Sequence, residues 1–399
     1  MMKNLIGIPA EGDNFFDRDD IAKRLWRRLD TDNVLLLAPR RVGKTSLLRK
    51  MQQTAETHGF FAGYLSVSDL VTEKEFVEAL FGAVLDHPQG SGLMTKLIDG
   101  PLKGMLRKVQ KVSVAGFGLE IAPESVDAWK HIGESFARTL AQLDGRWLIM
   151  VDEMPLFVLS LLRGDNGRLR ARTFLNWFRE LRLDIRFSSE IRWILCGSVG
   201  LDSVARRERM GDAINDLAMV SLGPFSEDVA DRFLIKLSES YQIPLDDQVR
   251  QHIRKRVGWL IPFHIQLLFA ELRESCNEDT PPTPELVDNV YESLLKTTNR
   301  AYFDWWVQRL HDELGQTEAR SAMVLLNTVA QADSATSHDQ LQLVLDSVTG
   351  ANAALSTGES RLNYLLDVLV SDGYLTDENH QYRFRSPLIR DYWRRRVLP

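Results

Sequence analysis

The chain has 399 residues, 44% of them hydrophobic and 26% charged, with a formal net charge of −6. That length exceeds one ordinary core and predicts two or three domains, the composition excludes collagen-like, low-complexity and disordered chains, and the acidic balance excludes a wholesale electrostatic grip on nucleic acid. The start MMKNLIGIPAEG lacks a secretion-type apolar region, no apolar stretch is long enough to span a bilayer, and Cys196 and Cys276 have no CxxC partner, so a soluble cytoplasmic protein with no membrane partner is expected.

In chain order, the first element is the unbroken apolar run from Val34 to Leu37, the pattern of a strand buried on both faces of a parallel sheet. A loop of Ala38, Pro39, Arg40, Arg41, Val42 and Gly43 follows, then Lys44, Thr45 and Ser46 open a helix with Leu47, Leu48 and Met51 at helical spacing. Strand, loop and helix in this order match G-x-x-x-x-G-K-[ST], in which backbone amides and a helix N-terminus wrap phosphates. Gly43 would let the backbone approach closely, Lys44 would reach the β and γ phosphates, and Thr45 would offer its hydroxyl to Mg2+. Ala38 stands where the first glycine is expected, which suits the strand end if its φ is negative.

A second strand is predicted over 60–66, then an insertion over about 70–130 with two helices and a hairpin around Val112 to Ile121. The glycines Gly116 and Gly118 mark that hairpin or a bulge rather than a dinucleotide fingerprint. Trp147 to Val151 is the next buried run and ends in Asp152 and Glu153. Asp152 would be the magnesium-side carboxylate and Glu153 the general base that polarises water for attack on the γ phosphate. The alternative is two acids at a strand end, with Pro155 opening a new turn. This strand and the one before the loop are expected side by side, with their C-terminal ends at one crevice.

The strand ending at Cys196 leads into Gly197 and Ser198. Cys196 occupies the place of the first glycine of a G-x-S-x-G elbow, which excludes that nucleophile motif. Ser198 either touches the γ phosphate or the attacking water, or caps a helix. Arg206, Arg207 and Arg209 are either an arginine finger toward a neighbouring subunit or solvated surface. A fifth strand is predicted at 218–222, and Ser226 reads as the N-cap of helices running through 297. Near 300, AYFDWW reads as a core anchor. Leu362, Leu365, Leu366 and Leu369 then line a helix that runs into DGYLT, the turn DENH and the strand QYRFRS. In the tail, Arg383, Arg385, Arg390, Arg394, Arg395 and Arg396 are opposed only by Asp391. They form a solvated helix face or a phosphate contact.

Residues 39–47, PRRVGKTSL, resemble the cradle of the P-loop ATPases of the AAA+ and STAND groups, particularly their prokaryotic (archaeal-ATPase-like, MNS-type) branch, and the resemblance covers nearly the whole chain. NFFDRDDIAKRLWRRL resembles that family's F-x-G-R-E-x-E-L box, with Phe16, Arg18 and Asp19 aligned and Asp17 in place of the glycine. This implies that Phe16 and Arg18 lie near the adenine. VGWLIPFHIQLLFAEL resembles the G-x-P box at stretched spacing, which makes Gly258 and Pro262 candidates for adenine contact. The C-terminal helix, strand, turn and strand resemble a winged helix, which reads duplex DNA, packs on the ATPase or binds a protein. The acids Asp367, Asp372 and Asp377 beside the helix favour protein.

The implied fold class is α/β: a P-loop NTPase with a central parallel sheet and a helical insertion, followed by a helical lid and a C-terminal winged-helix domain. Its implied divisions are 1–225 for the core, 226–298 for the lid and 299–399 for the winged helix. The implied activity is an ATP-binding and ATP-hydrolysing switch that uses ATP and Mg2+ and controls a protein partner in signalling or defence, with a homo-oligomer in reach. Its alternatives are a duplex-DNA loader or transposition helper, and a nucleotide-binding scaffold without turnover.

Overall fold

Up to residue 221 the chain alternates strands and helices: α1 (Asp19–Leu29), β1 (Val34–Leu37), α2 (Lys44–Thr54), β2 (Phe60–Ser66), α3 (Glu73–Leu85), β3 (Leu106–Gln110), β4 (Gly118–Ile121), α4 (Ala128–Leu140), β5 (Arg146–Asp152), α5 (Met154–Arg163), α6 (Gly167–Leu183), β6 (Ile191–Gly197), α7 (Leu201–Arg207) and β7 (Ala218–Ser221). The structure, a computed structural model, describes residues 1–90, 106–110, 118–121, 128–197, 200–277, 281–296, 302–349 and 358–398. They divide into one unit of Arg18–Ala38 and Thr45–Ser221 and another of Met1–Asp17, Pro39–Lys44 and Leu222–Pro399.

The five expected sheet strands form one parallel sheet in the order β2-β5-β6-β1-β7. Helices cover both faces, which is why Trp147 to Val151 can be an unbroken apolar run with every residue buried. One expectation is corrected here: β1 and β5 are not side by side. Successive connections from β2 to β5 to β6 each step one strand toward β1, so β6 takes the place beside it. Leu36 of β1 pairs with Cys196 of β6, and Leu195 pairs with Val151 of β5. The strands remain parallel, so the carboxyl ends of β1, β6 and β5 share one edge.

On one face, Phe76 meets Phe157 and Phe174 with ring centroids 5.3 Å and 4.8 Å away, and Trp177 packs where Gly133 leaves room. Burial of each such ring stabilises the unit by roughly 1.5–3 kcal/mol. A reciprocal cap starts α3: Thr72 Oγ1 accepts from the Glu75 amide at 3.2 Å, and the Glu75 carboxylate accepts from the Thr72 amide at 3.0 Å. The hairpin of the insertion pairs β3 with β4, so its first arm lies ahead of Val112, where the sequence pattern begins it. Gly118 opens β4 opposite Gln110, while Gly116 lies outside the described residues.

From Leu222 the chain is mainly helical: α8 (Glu227–Tyr241), α9 (Asp247–Val257), α10 (Pro262–Ser275), α11 (Pro284–Leu294), α12 (Asp304–Gln331), β8 (Thr336–Ser337), α13 (His338–Thr349), α14 (Gly358–Ser371), β9 (Leu375–Asp377), β10 (Gln381–Phe384) and α15 (Pro387–Arg396). Ser226 caps α8 as expected, accepting from the Val229 amide at 3.3 Å. β10 pairs antiparallel with both β8 and β9, and the four leucines predicted on one side of α14 are buried. Within AYFDWW, Phe303 and Trp306 are core residues, and the Tyr374 hydroxyl donates to the Trp306 carbonyl at 2.7 Å. Asp372 is not beside α14 on an outer face. It is buried in an ion pair with Arg309 at 3.0 Å.

The N-terminal segment belongs to this second unit. The Met2 amide donates to Ser240 Oγ at 3.2 Å, the Asn4 amide to the Tyr241 hydroxyl at 2.8 Å, and Asn4 Nδ2 to the Gln266 carbonyl at 2.9 Å. Among the described residues, no helix is long and apolar enough to cross a membrane.

Candidate functional site

The loop between β1 and α2 has the backbone that its sequence calls for. Ala38 is buried and keeps a negative φ, so a methyl group in place of hydrogen causes no strain at the strand end. Gly43 has φ +96°, a backbone turn that favours glycine, and a Cβ there would meet no protein atom within 4 Å. Lys44 starts α2, and the first amides of a helix have no acceptor within it, an end that attracts anions. Lys44 and Ser46 are buried polar residues, and Val42 is fully buried.

Asp152 ends β5 at 3% exposure, and four donors surround its carboxylate. Thr45 Oγ1 and the Tyr64 hydroxyl donate to Oδ2 at 3.3 Å and 3.1 Å, while Cys196 Sγ and the Glu153 amide approach Oδ1 at 3.4 Å and 2.9 Å. The sheet register explains this convergence. Tyr64 pairs with Met150, two residues before Asp152 and on the same face, and Cys196 follows the Leu195 that pairs with Val151. Burial and the Asp152 carboxylate push the Tyr64 phenol up, and the Arg49 guanidinium lies 4.4 Å from its ring centroid.

Glu153 has φ +61° and ψ +32°, left-handed for a non-glycine residue. That conformation costs of order 1–2 kcal/mol. Glu153 occupies the N-cap position of α5 yet makes no side-chain capping bond, so the carboxylate is not serving as a cap. The hydroxyl of Thr45 and the carboxylate of Asp152 supply two hard oxygen groups at hydrogen-bond distance, a donor set that fits Mg2+.

Arg40 and Arg41 direct their side chains to aromatic rings: Arg41 Cζ is 3.8 Å from the Phe263 centroid and 4.5 Å from that of Trp305, and Arg40 Cζ is 5.5 Å from the latter. Phe16 packs on Phe233 and Phe225 at 5.1 Å and 6.2 Å. Asp17 takes φ +46°, a conformation that aspartate tolerates better than most residues, and pairs with Arg232. Arg18 precedes α1 without capping it, and Pro262 occupies the first turn of α10. Gly258 has φ +65°, and a Cβ there would meet Pro387 Cδ at 2.5 Å, so its glycine answers to packing on α15. Arg206 pairs with Asp202 at 3.6 Å and Arg207 with Glu208 at 2.7 Å, while Arg209 has φ +57°. Ser198 lies outside the described residues.

Sequence pattern missed Tyr64 and Cys196 as partners of Asp152, and Phe263, Tyr302 and Trp305 as partners of Arg41. The one available signal was Cys196 itself, a polarisable side chain at the tip of a buried strand.

No protein-family model and no curated protein sequence matches the chain. Solved structures do. The chain is similar to the Walker-type ATPase of Pyrococcus abyssi at 15% identity, with 98% of this chain and 99% of that one covered and a TM-score of 0.64. It is also similar to the ORC2 protein of Aeropyrum pernix, solved in ADPNP–ADP complexes, at 12% identity, 97% coverage of both chains and a TM-score of 0.54. At these identities the likeness shows the fold: a P-loop ATPase fold with a central parallel sheet and a helical C-terminal part.

Proposed function

We propose that the chain is an ATP-binding and ATP-hydrolysing switch of the AAA+/STAND type, acting in the cytoplasm on a protein partner. The observation that carries this is the Thr45–Asp152 contact at 3.3 Å, which joins the helix opened by G-K-T-S to the acidic end of β5. The ADPNP and ADP of the ORC2 complexes support an adenine nucleotide as the ligand.

The amides around Gly43 and the ammonium of Lys44 would hold the β and γ phosphates. Thr45 and Asp152 would hold Mg2+, which supplies positive charge against the phosphate oxygens when bound. Glu153 would take a proton from water as the water oxygen attacks the γ phosphorus. The bond from that phosphorus to the β–γ bridging oxygen breaks, and ADP and phosphate leave. Ser198 is proposed to face the γ phosphate, and Phe16, Arg18 and Pro262 to serve the adenine side. Residues 226–298 would act as the lid and 299–399 as a winged-helix-like domain that engages the partner, with self-association as a further step.

The tail gives little support to duplex DNA as the partner. Arg394 donates to the Ala330 carbonyl and, at 2.9 Å, to that of Ala332; Arg395 pairs with Glu292 at 2.5 Å; Arg396 reaches the Leu295 carbonyl at 3.4 Å. These arginines hold α15 to the helices beneath it. Equilibrium titration with a fluorescent ATP analogue, together with phosphate-release assays, tests the proposal: wild type binds and Lys44→Ala loses affinity by about 10–100-fold, the value of a hydrogen bond to a charged group. Equal affinity in the two proteins would remove the cradle assignment.

A further inference from the structure

Arg41 stands two residues before Gly43 in the phosphate loop, and its side chain ends in a cage. Phe263 of α10 and Trp305 of α12 present their rings at 3.8 Å and 4.5 Å, and Nη1 donates to the Tyr302 carbonyl at 3.3 Å. The Trp305 indole N–H donates to the same carbonyl at 2.9 Å, and Trp305 stacks on the buried Trp306 at 4.3 Å, so the cage wall is anchored in the core. All of these residues lie in the unit that includes Pro39–Lys44 and Leu222–Pro399. Burial, together with Arg40, lowers the Arg41 guanidinium to about 10, which leaves it charged at neutral pH.

The backbone of Arg41 has φ +65°. A non-glycine residue holds that conformation where its surroundings over-determine it. Two rings and a carbonyl converge on the desolvated guanidinium, so the cage offsets the strain. Gly43, with φ +96°, is the next turn of the same backbone. The cage therefore coexists with the formed cradle and fixes one end of it.

We propose that Arg41 is a positioning residue that couples the phosphate loop to α10 and α12: its aromatic cage holds the loop in phosphate-binding form, and a polyphosphate bound to the loop tightens the cage in return. This rests on the nucleotide site proposed above. The return effect is required by linkage, because a cage that favours bound nucleotide must itself be favoured by it. Occupancy of the loop would then be felt at the first turns of two helices of the C-terminal unit, with Trp305 as the shared contact.

The test measures affinity for an ATP analogue and amide hydrogen exchange with and without it, on the full chain. Arg41→Ala and Trp305→Leu are each expected to lower affinity about tenfold. The double variant should lose no more than either single one, and Trp305→Phe, which keeps a ring face, should keep most of the affinity. In wild type the nucleotide should slow exchange in residues 263–268 and 302–308, and this protection should vanish in Arg41→Ala. Wild-type affinity and protection in Arg41→Ala, or losses that add in the double variant, would overturn the coupling while leaving the nucleotide site intact. A wild type that binds no adenine nucleotide would overturn the site itself, and the coupling with it.

Discussion

Thr45 and Asp152, 107 residues apart in sequence, meet through a hydroxyl-to-carboxylate hydrogen bond of 3.3 Å. The contact ties the first turn of α2 to the tip of β5 although β6 lies between β5 and β1 in the sheet. One strand's width separates the two motifs, and the side chains of Thr45 and Cys196 bridge it.

Glu153→Gln should lower ATP hydrolysis by about 10²–10⁴-fold, the usual share of a positioned general base, with ATP affinity unchanged. Single-turnover phosphate release beside equilibrium binding separates the two effects. Full hydrolysis by the variant would assign the base elsewhere.

Tyr64→Phe removes one of the donors to a nearly buried carboxylate. A hydrogen bond to a charged group contributes about 1.5–3 kcal/mol, so the urea midpoint should fall accordingly with the slope unchanged. Bound Mg2+ should recover part of the loss by engaging Asp152. A variant as stable as wild type would mean that solvent replaces the phenol without cost.

Gly258→Ala should act on folding rather than on nucleotide. Its Cβ would fall 2.5 Å from Pro387 Cδ at a φ of +65°. Steric overlap of this kind costs roughly 1–3 kcal/mol. Thermal unfolding and ATP-analogue titration of the same variant decide the matter: a lower midpoint with unchanged affinity is expected, and the reverse would restore an adenine contact at this position.

His264 is fully buried, and burial together with the charge of Arg41 pushes its pKa down to about 3 from an ordinary 6.5. Among the described residues its Nδ1 has no hydrogen-bond partner. Below 6.5 the unfolded chain binds a proton that the folded chain refuses. This part of the stability is therefore complete above 6.5 and is lost as pH falls toward 3, at a limiting slope of about 1.4 kcal/mol per pH unit. From pH 7 to 5 the wild type should lose about 2 kcal/mol more than His264→Leu in urea titrations. Equal losses would mean that the imidazole finds a way to protonate in place.

Much of the fold is written locally in the sequence. Runs such as Trp147 to Val151 are strands because only a strand between two helical layers can be apolar at every position. Ser226 is a cap because its hydroxyl is three residues from a free amide, and Gly43 announces a positive φ. The order of the strands is not local. β6 sits between β1 and β5 because of where two crossovers land, and no single residue records that. The partners of Asp152 were hidden for the same reason, since Tyr64 and Cys196 reach it only through register. Arg41 carries no local sign of its cage, because Phe263 and Trp305 are supplied from more than 200 residues downstream. Asp17 shows the converse: aspartate, in place of the glycine of the box it resembles, accepts a φ of +46°.

The amide of Met2 ends on Ser240, 238 residues later, and that of Asn4 on Tyr241. During synthesis at about 5–20 residues per second, the leading segment leaves the ribosome some 10–50 s before its acceptors do. Throughout that interval the Met2 and Asn4 amides lack these native acceptors. These two contacts can therefore form only after every strand of the parallel sheet, the last of which ends at Ser221, has been synthesised.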